Sequence, residues 1–153
     1  MCLISENLFP KTAENDIICY KILIDCGTAD NPKYISPYYD AEWKVGVKHH
    51  CENHFPNVSY VYHPKRRAVI EAGYFHTFAN EEAAKCQAGR IAQDYNTINS
   101  GNSVVVFRAV IPKGSIMWDG FTPINNLDSY ASKDLMILEE VGRFGGIVFG
   151  FRL

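Results

Sequence analysis

FANEEAAKCQAGRIAQDYN, residues 78–96, carries the clearest helix signal in this 153-residue sequence, and its reading decides the fold. Asn80 suits an N-cap, because its side-chain oxygen can accept an orphan backbone N–H. Glu81 and Glu82 place negative charge in the first turn, where the helix dipole favours it. Ala84, Ala88, Ile91, Ala92 and Tyr95 recur at helical spacing and form a narrow stripe of small residues. Such a stripe lies close against a sheet. One main helix, spanning about 80–95, is therefore expected to pack on strands supplied by the rest of the chain.

The flanking segments supply those strands. IICYKILI (17–24) is an Ile-rich apolar run that reads as a central strand, and SVVVFRAVIP (103–112) is the strongest strand pattern of all. VSYVYH (58–63) alternates Val58, Tyr60 and Tyr62 against Ser59, Val61 and His63, and Pro64 closes it. YYDAEWKVGVKHH (38–50) reads as a half-buried strand with Trp43, Val45 and Val47 on one face. Residues 26–37 read as a loop or loose hairpin, and Lys113-Gly114 as the corner of a turn into a further short strand. Leu135 to Val141 and a glycine-punctuated tail complete a count of seven to nine short strands. Strands joined mostly by turns imply antiparallel pairing. The expected class is α+β: a twisted, mostly antiparallel sheet or partly open barrel in one domain, residues 1–153.

Composition narrows the function. Hydrophobic residues make up 47% and charged residues 21%, which is the balance of a globular core rather than of a disordered tail. A net charge of −2 argues against a nucleic-acid surface, which needs clustered positive potential. No stretch approaches the roughly 18 apolar residues of a membrane span, and no basic, apolar leader opens the chain. A cytoplasmic location without membrane attachment is expected. The five cysteines have no repeating interval and read as reduced thiols, mostly buried.

Three clusters bear on chemistry. KHHCENHFPNVSYVYH gathers four histidines with Cys51 and Glu52. Imidazole and thiolate are ligands that Zn²⁺ prefers, so His50, Cys51 and His54 are the candidate metal ligands, although the spacing matches no closed zinc motif. HPKRR (63–67) sets three cations together and reads as a solvated turn able to meet a phosphate or an acidic partner. GYFHTFAN (73–80) carries the most weight. Tyr74, His76 and Thr77 stand at a strand-to-helix junction, and Asn80 with the following amides could hold an anion. Glu139 and Glu140 end a strand on opposite faces, so one of them should face whatever cleft forms.

Two resemblances attach to these residues. Met1-Cys2-Leu3, Leu8 to Lys11, Cys19-Tyr20-Lys21, Gly73 to Phe78, Ile111 to Ser115, and Tyr130 to Ser132 running on to Glu139 together resemble a group of small uncharacterised proteins of gut Bacteroidales and their phages. That likeness implies relatives but no reaction. Gly73 to Thr77, the following helix and an apolar strand also resemble the middle of ADP-ribosyltransferase-like folds. The resemblance implies NAD as a ligand, Tyr74 stacking on nicotinamide, Thr77 beside it and Glu140 as the catalytic carboxylate. Tyr20 and Lys21 stand where those folds carry His or Arg on the first strand, a difference that points to nucleotide binding without turnover.

Cys2 next to the initiator Met raises the chemistry of an N-terminal nucleophile, whose own amine serves as base. The polar residues 5–7 and Pro10 after it read as turn, and one helix cannot build the layered sandwich of such hydrolases. The leading expectation is thus a binding or modulatory protein. Its site is near residues 73–80, made by Tyr20, Lys21, Tyr74, His76, Thr77 and Asn80. Its partner is a small anionic or nucleotide ligand, or another protein. The alternatives are an NAD-using enzyme and a zinc protein.

Overall fold

The computed structural model of the protein describes residues 2–37, 39–52, 57–63, 65–94, 100–145, 147–148 and 151–152. In chain order the elements are β1 (Leu3–Ser5), β2 (Lys11–Thr12), β3 (Ile17–Asp25), β4 (Tyr34–Ser36), β5 (Tyr39–Trp43), β6 (Lys48–His50), β7 (Asn57–His63) and β8 (Lys65–Ala72). Then come β9 (Phe75–Phe78), α1 (Glu81–Ala92), β10 (Ser103–Ile111), β11 (Ile116–Phe121), β12 (Asp128–Ser132), β13 (Asp134–Gly145), β14 (Ile147–Val148) and β15 (Phe151–Arg152). Thirteen strands join one open sheet whose main path runs β6-β13-β10-β3-β9-β12-β11-β1-β8-β7, while β14 and β15 pair separately. Every pairing among the described residues is antiparallel. The α+β class and the sheet's antiparallel character are as expected; the strand count exceeds seven to nine.

Several short strands make up the surplus. Leu3 is fully buried and Leu3–Ser5 already form a strand inside the sheet, paired with β8 and β11, while residues 6–10 stay outside any strand, as the turn reading expects. Residues 38–50 form two strands rather than one, because Gly46 takes φ +76° and its N–H donates to the Ile137 carbonyl. Val45 and Val47 consequently stay about half exposed instead of sharing the buried face of Trp43. Of the two readings of residues 26–37 the loose hairpin holds, β3 pairing with β4 through Ile24–Ile35 and Asp25–Tyr34, and the HPKRR cations open β8, with His63 opposite Lys65 in a hairpin.

β10 explains why its sequence is a continuous apolar run. It pairs with β3 on one edge and β13 on the other, so neither edge is free. Val104, Val105, Val106, Ala109 and Ile111 are all fully buried, alternate residues entering different core clusters. A strand covered on both faces has no need of polar alternation.

One of those covers is α1. Asn80 caps it, its side chain accepting from the Ala83 N–H at 3.2 Å, and Ala84, Ala88 and Ala92 are buried against β3, β10 and β13. The stripe of small residues thus does what its spacing predicts; Tyr95, its last member, lies outside the described residues. No helix among the described residues is long and apolar enough to cross a membrane. All five cysteines are free, but only Cys19 is buried, against the expectation that most would be.

Candidate functional site

The two edges of β3 differ. Toward β10 all nine residues pair; toward the other side Tyr20 pairs with Phe78 of β9, and Ile24 and Asp25 pair with Ile35 and Tyr34 of β4. Between them, Lys21, Ile22 and Leu23 have no strand partner on that edge among the described residues. The sheet forks at this point into a β9 limb and a β4–β5 limb.

A cavity of about 380 Å³ occupies the fork. Its lining draws on all three apolar clusters of the core: Trp43 and Phe75 from the first, Ile22 and Phe78 from the second, and Tyr74 from the third. The two limbs touch through Trp43 and Phe75, whose rings meet edge to face at 4.9 Å. Gly73 takes φ +82°, a backbone state that favours glycine, and so turns the chain sharply from β8 into Tyr74 and β9.

Polar residues share this lining, Lys21, His76, His49, His50 and Cys51 among them. Lys21 is only 8% exposed; its Nζ donates to the His76 carbonyl at 3.0 Å and lies 5.7 Å from the centre of the Trp43 ring. No carboxylate lies within 4 Å of it among the described residues. Burial pulls its pKa down from 10.5 to about 8, because a charge without a counter-ion is poorly solvated there. His76 is pushed down to about 3 by burial first and by the nearby Lys21 second, so its imidazole is neutral at physiological pH. Both ring nitrogens are buried and neither makes a well-formed hydrogen bond, a loose contact with the Glu71 backbone excepted. Cys51, half-buried, completes the polar group, and Glu52 stands exposed at the mouth.

The structure therefore brings together Lys21, Tyr74 and His76, with His50 and Cys51, from the sequence candidates. It places Tyr20, Thr77, Asn80 and Glu140 elsewhere. Tyr20 alternates to the helix side of β3 and packs in the second cluster. Thr77 is fully buried against the Cys19 thiol, which burial pushes up to about 12. Asn80 spends its side chain on the helix cap, so the anion site imagined at the helix N-terminus is already filled by the protein's own oxygen.

Glu140 is outside the cavity lining. Its carboxylate pairs with the Arg143 guanidinium at 2.6 Å, and Arg143 also reaches Asp25 at 3.0 Å. Tyr74 lines the cavity, yet the Lys133 ammonium covers its ring at 4.5 Å, which leaves less of the face for a nucleotide base.

His50 and Cys51, two of the zinc candidates, both line the cavity, but the histidines there are engaged by other groups. His50 turns its Nδ1 to Asp134 at 2.7 Å, and His49 stacks on Trp43 at 4.3 Å while its Nε2 accepts from the Lys44 N–H. Among the described residues no group of three or more His, Cys, Asp or Glu side chains could hold a metal; His54 lies outside them.

Trp43 is the lining residue that its sequence context does not single out. Its place in an alternating run made it look like ordinary core, and only the fork shows that the ring is also a cavity wall. No protein family, curated protein or solved structure matches this chain.

Proposed function

We propose that the protein binds a small ligand with a flat apolar part and an anionic group, held in the fork of the sheet. The observation that carries this reading is Lys21. A buried ammonium without a carboxylate partner costs several kcal/mol, and an incoming anion removes that cost by supplying the missing charge. Trp43, Phe75 and Phe78 give the apolar walls, and the buried His76 nitrogens offer one further hydrogen bond. Such a mix of aromatic walls and few convergent polar groups is the usual make-up of a ligand pocket.

The test is a thermal-shift screen of carboxylates, phosphates and nucleotides, NAD among them. A ligand present at 100 times its Kd adds about 2.7 kcal/mol to stability by mass action, enough to read as a clear rise in melting temperature. A genuine occupant is expected to lose its effect in Lys21→Met and to be weakened in Trp43→Ala. If no member of the screen shifts the wild type, the reading fails.

Binding without turnover is the form we favour, because Glu140 is engaged by Arg143 away from the cavity. NAD incubated with the protein is accordingly expected to remain intact, and its consumption, abolished in Glu140→Gln, would revive the transferase alternative.

A further inference from the structure

We infer that Lys21 is also a nucleophile, condensing with the carbonyl of a small 2-oxo carboxylate that carries a flat apolar group; this rests on the fork being a ligand site. Four features of the cavity lead there.

The amine is held rather than free to wander. One N–H donates to the His76 carbonyl, and because that bond uses a hydrogen, the nitrogen lone pair of the neutral amine stays available. The Trp43 ring lies against it, with its centre 5.7 Å from the nitrogen, and the residue is only 8% exposed, so little water reaches an imine formed there. The amine is also uncharged far more often than a surface lysine, with its pKa near 8. Finally, the missing counter-ion has a natural source. A carboxylate on the carbon next to the carbonyl would lie beside the new cation, and the neutral His76 imidazole, in the same lining, can donate a hydrogen bond to it.

The reaction balances without an oxidant or reductant. The ammonium first gives a proton to solvent. The lone pair of the amine then forms a C–N bond to the carbonyl carbon while the carbonyl oxygen takes up a proton. The carbinolamine loses that oxygen as water, and the resulting imine nitrogen binds one proton to become a cation. The positive charge of Lys21 is thus restored, now paired with the ligand's carboxylate.

Phenylpyruvate is a suitable probe, since its ring suits the aromatic walls. The protein is incubated with it and with cyanoborohydride, which delivers hydride to the C=N carbon and fixes the adduct as a secondary amine. The expected result is one adduct of the ligand's mass less one oxygen, mapped by peptide sequencing to Lys21. It should form on the order of a hundredfold faster than at any other lysine, given the larger free-amine fraction at neutral pH. Phenylacetate, which has the anion but no reacting carbonyl, should slow it. Lys21→Arg keeps the charge and should lose the adduct, as should Lys21→Met; if either variant misfolds, the peptide map of the wild type decides alone.

Adducts spread evenly over surface lysines, or one that persists in Lys21→Arg, overturn the inference. So does a rise in melting temperature with phenylacetate when phenylpyruvate leaves no adduct, but that outcome spares the pocket. Neither a shift nor an adduct with any anion removes both.

Discussion

The Lys21 ammonium donates to the His76 backbone carbonyl, and burial lowers the pKa of both side chains. The consequence for stability has opposite edges of the pH scale. The unfolded chain keeps the Lys21 proton up to pH 10.5, whereas the folded chain releases it near 8. Between those values the unfolded state binds more protons, so this residue makes the wild type more stable as pH rises. Below pH 8 the penalty is present in full. Lys21→Met should therefore be more stable than the wild type at pH 7, by on the order of 3 kcal/mol at 1.36 kcal/mol per pKa unit. Chemical denaturation of the pair from pH 7 to 10.5 is expected to show that gain shrinking towards zero. A gain that does not change with pH would mean that packing, not charge, sets it.

His76 acts at the acid end. Its folded pKa near 3 lies below the ordinary 6.5, so the unfolded state again binds more protons in between, and stability falls as pH drops from 6.5 towards 3. This residue alone contributes a slope of up to about 1.4 kcal/mol per pH unit in that window. His76→Gln, which has no proton to take up, should flatten the acid limb of the stability curve measured against the wild type. Equal acid limbs would show that the histidine is already charged or solvated in the folded state.

Among the elements, α1 and β1 make an instructive contrast. The helix was legible because cap, first-turn charge and a stripe of small residues all agree over three turns, and its boundaries follow from the Asn80 cap. Asn80→Ala should cost about 1 kcal/mol in thermal or denaturant unfolding, since it leaves the Ala83 N–H without its acceptor. β1 carries no comparable signal. Three residues, Leu3 to Ser5, are too few for alternation to register, and their burial comes from neighbours distant in the chain. The same brevity hid β2, β4 and β6, while Gly46 divided what looked like one strand.

What holds β1 in place is equally invisible in one dimension. A Cβ on Gly120 of β11 would stand 2.1 Å from the Ile4 carbonyl oxygen, so only hydrogen can occupy that position. Gly120→Ala must push β1 away from β11 and uncover Leu3 and Trp118 in the third cluster. A loss of more than about 2 kcal/mol is expected from such an overpacked contact. Near-neutral unfolding of this variant would show that β1 is free to shift.

At the scale of the whole molecule, the candidate site depends on two limbs that the chain builds far apart. Residues of the GYFHTF segment could be singled out because of their composition, but the cavity also needs Lys21 from β3 and Trp43 from β5, and nothing local to any of these segments encodes their meeting. Among the described residues, the β4–β5 limb joins the sheet through two pairs with β3, and β5 pairs with β4 alone. A hairpin attached so lightly relies on side-chain contacts to stay closed. Asp25 fastens its base on β3, accepting from the Gly27 and Lys33 amides and from Arg143, while Trp43, opposite Tyr34 on the outer strand, fastens β5 to Phe75. Trp43→Ala removes the second fastening and should let the limb open without unfolding the rest, because the β10 ladders do not involve it. Hydrogen exchange at residues 34–43 is expected to accelerate by an order of magnitude or more, the loss of an aromatic pair and its burial exceeding about 1.4 kcal/mol. Exchange in β10 should stay unchanged. A ligand bound in the fork should slow exchange in the same segment of the wild type. Acceleration that spreads equally through β10 would mean that the limb and the sheet open as one unit, and that the fork is no gate to the cavity.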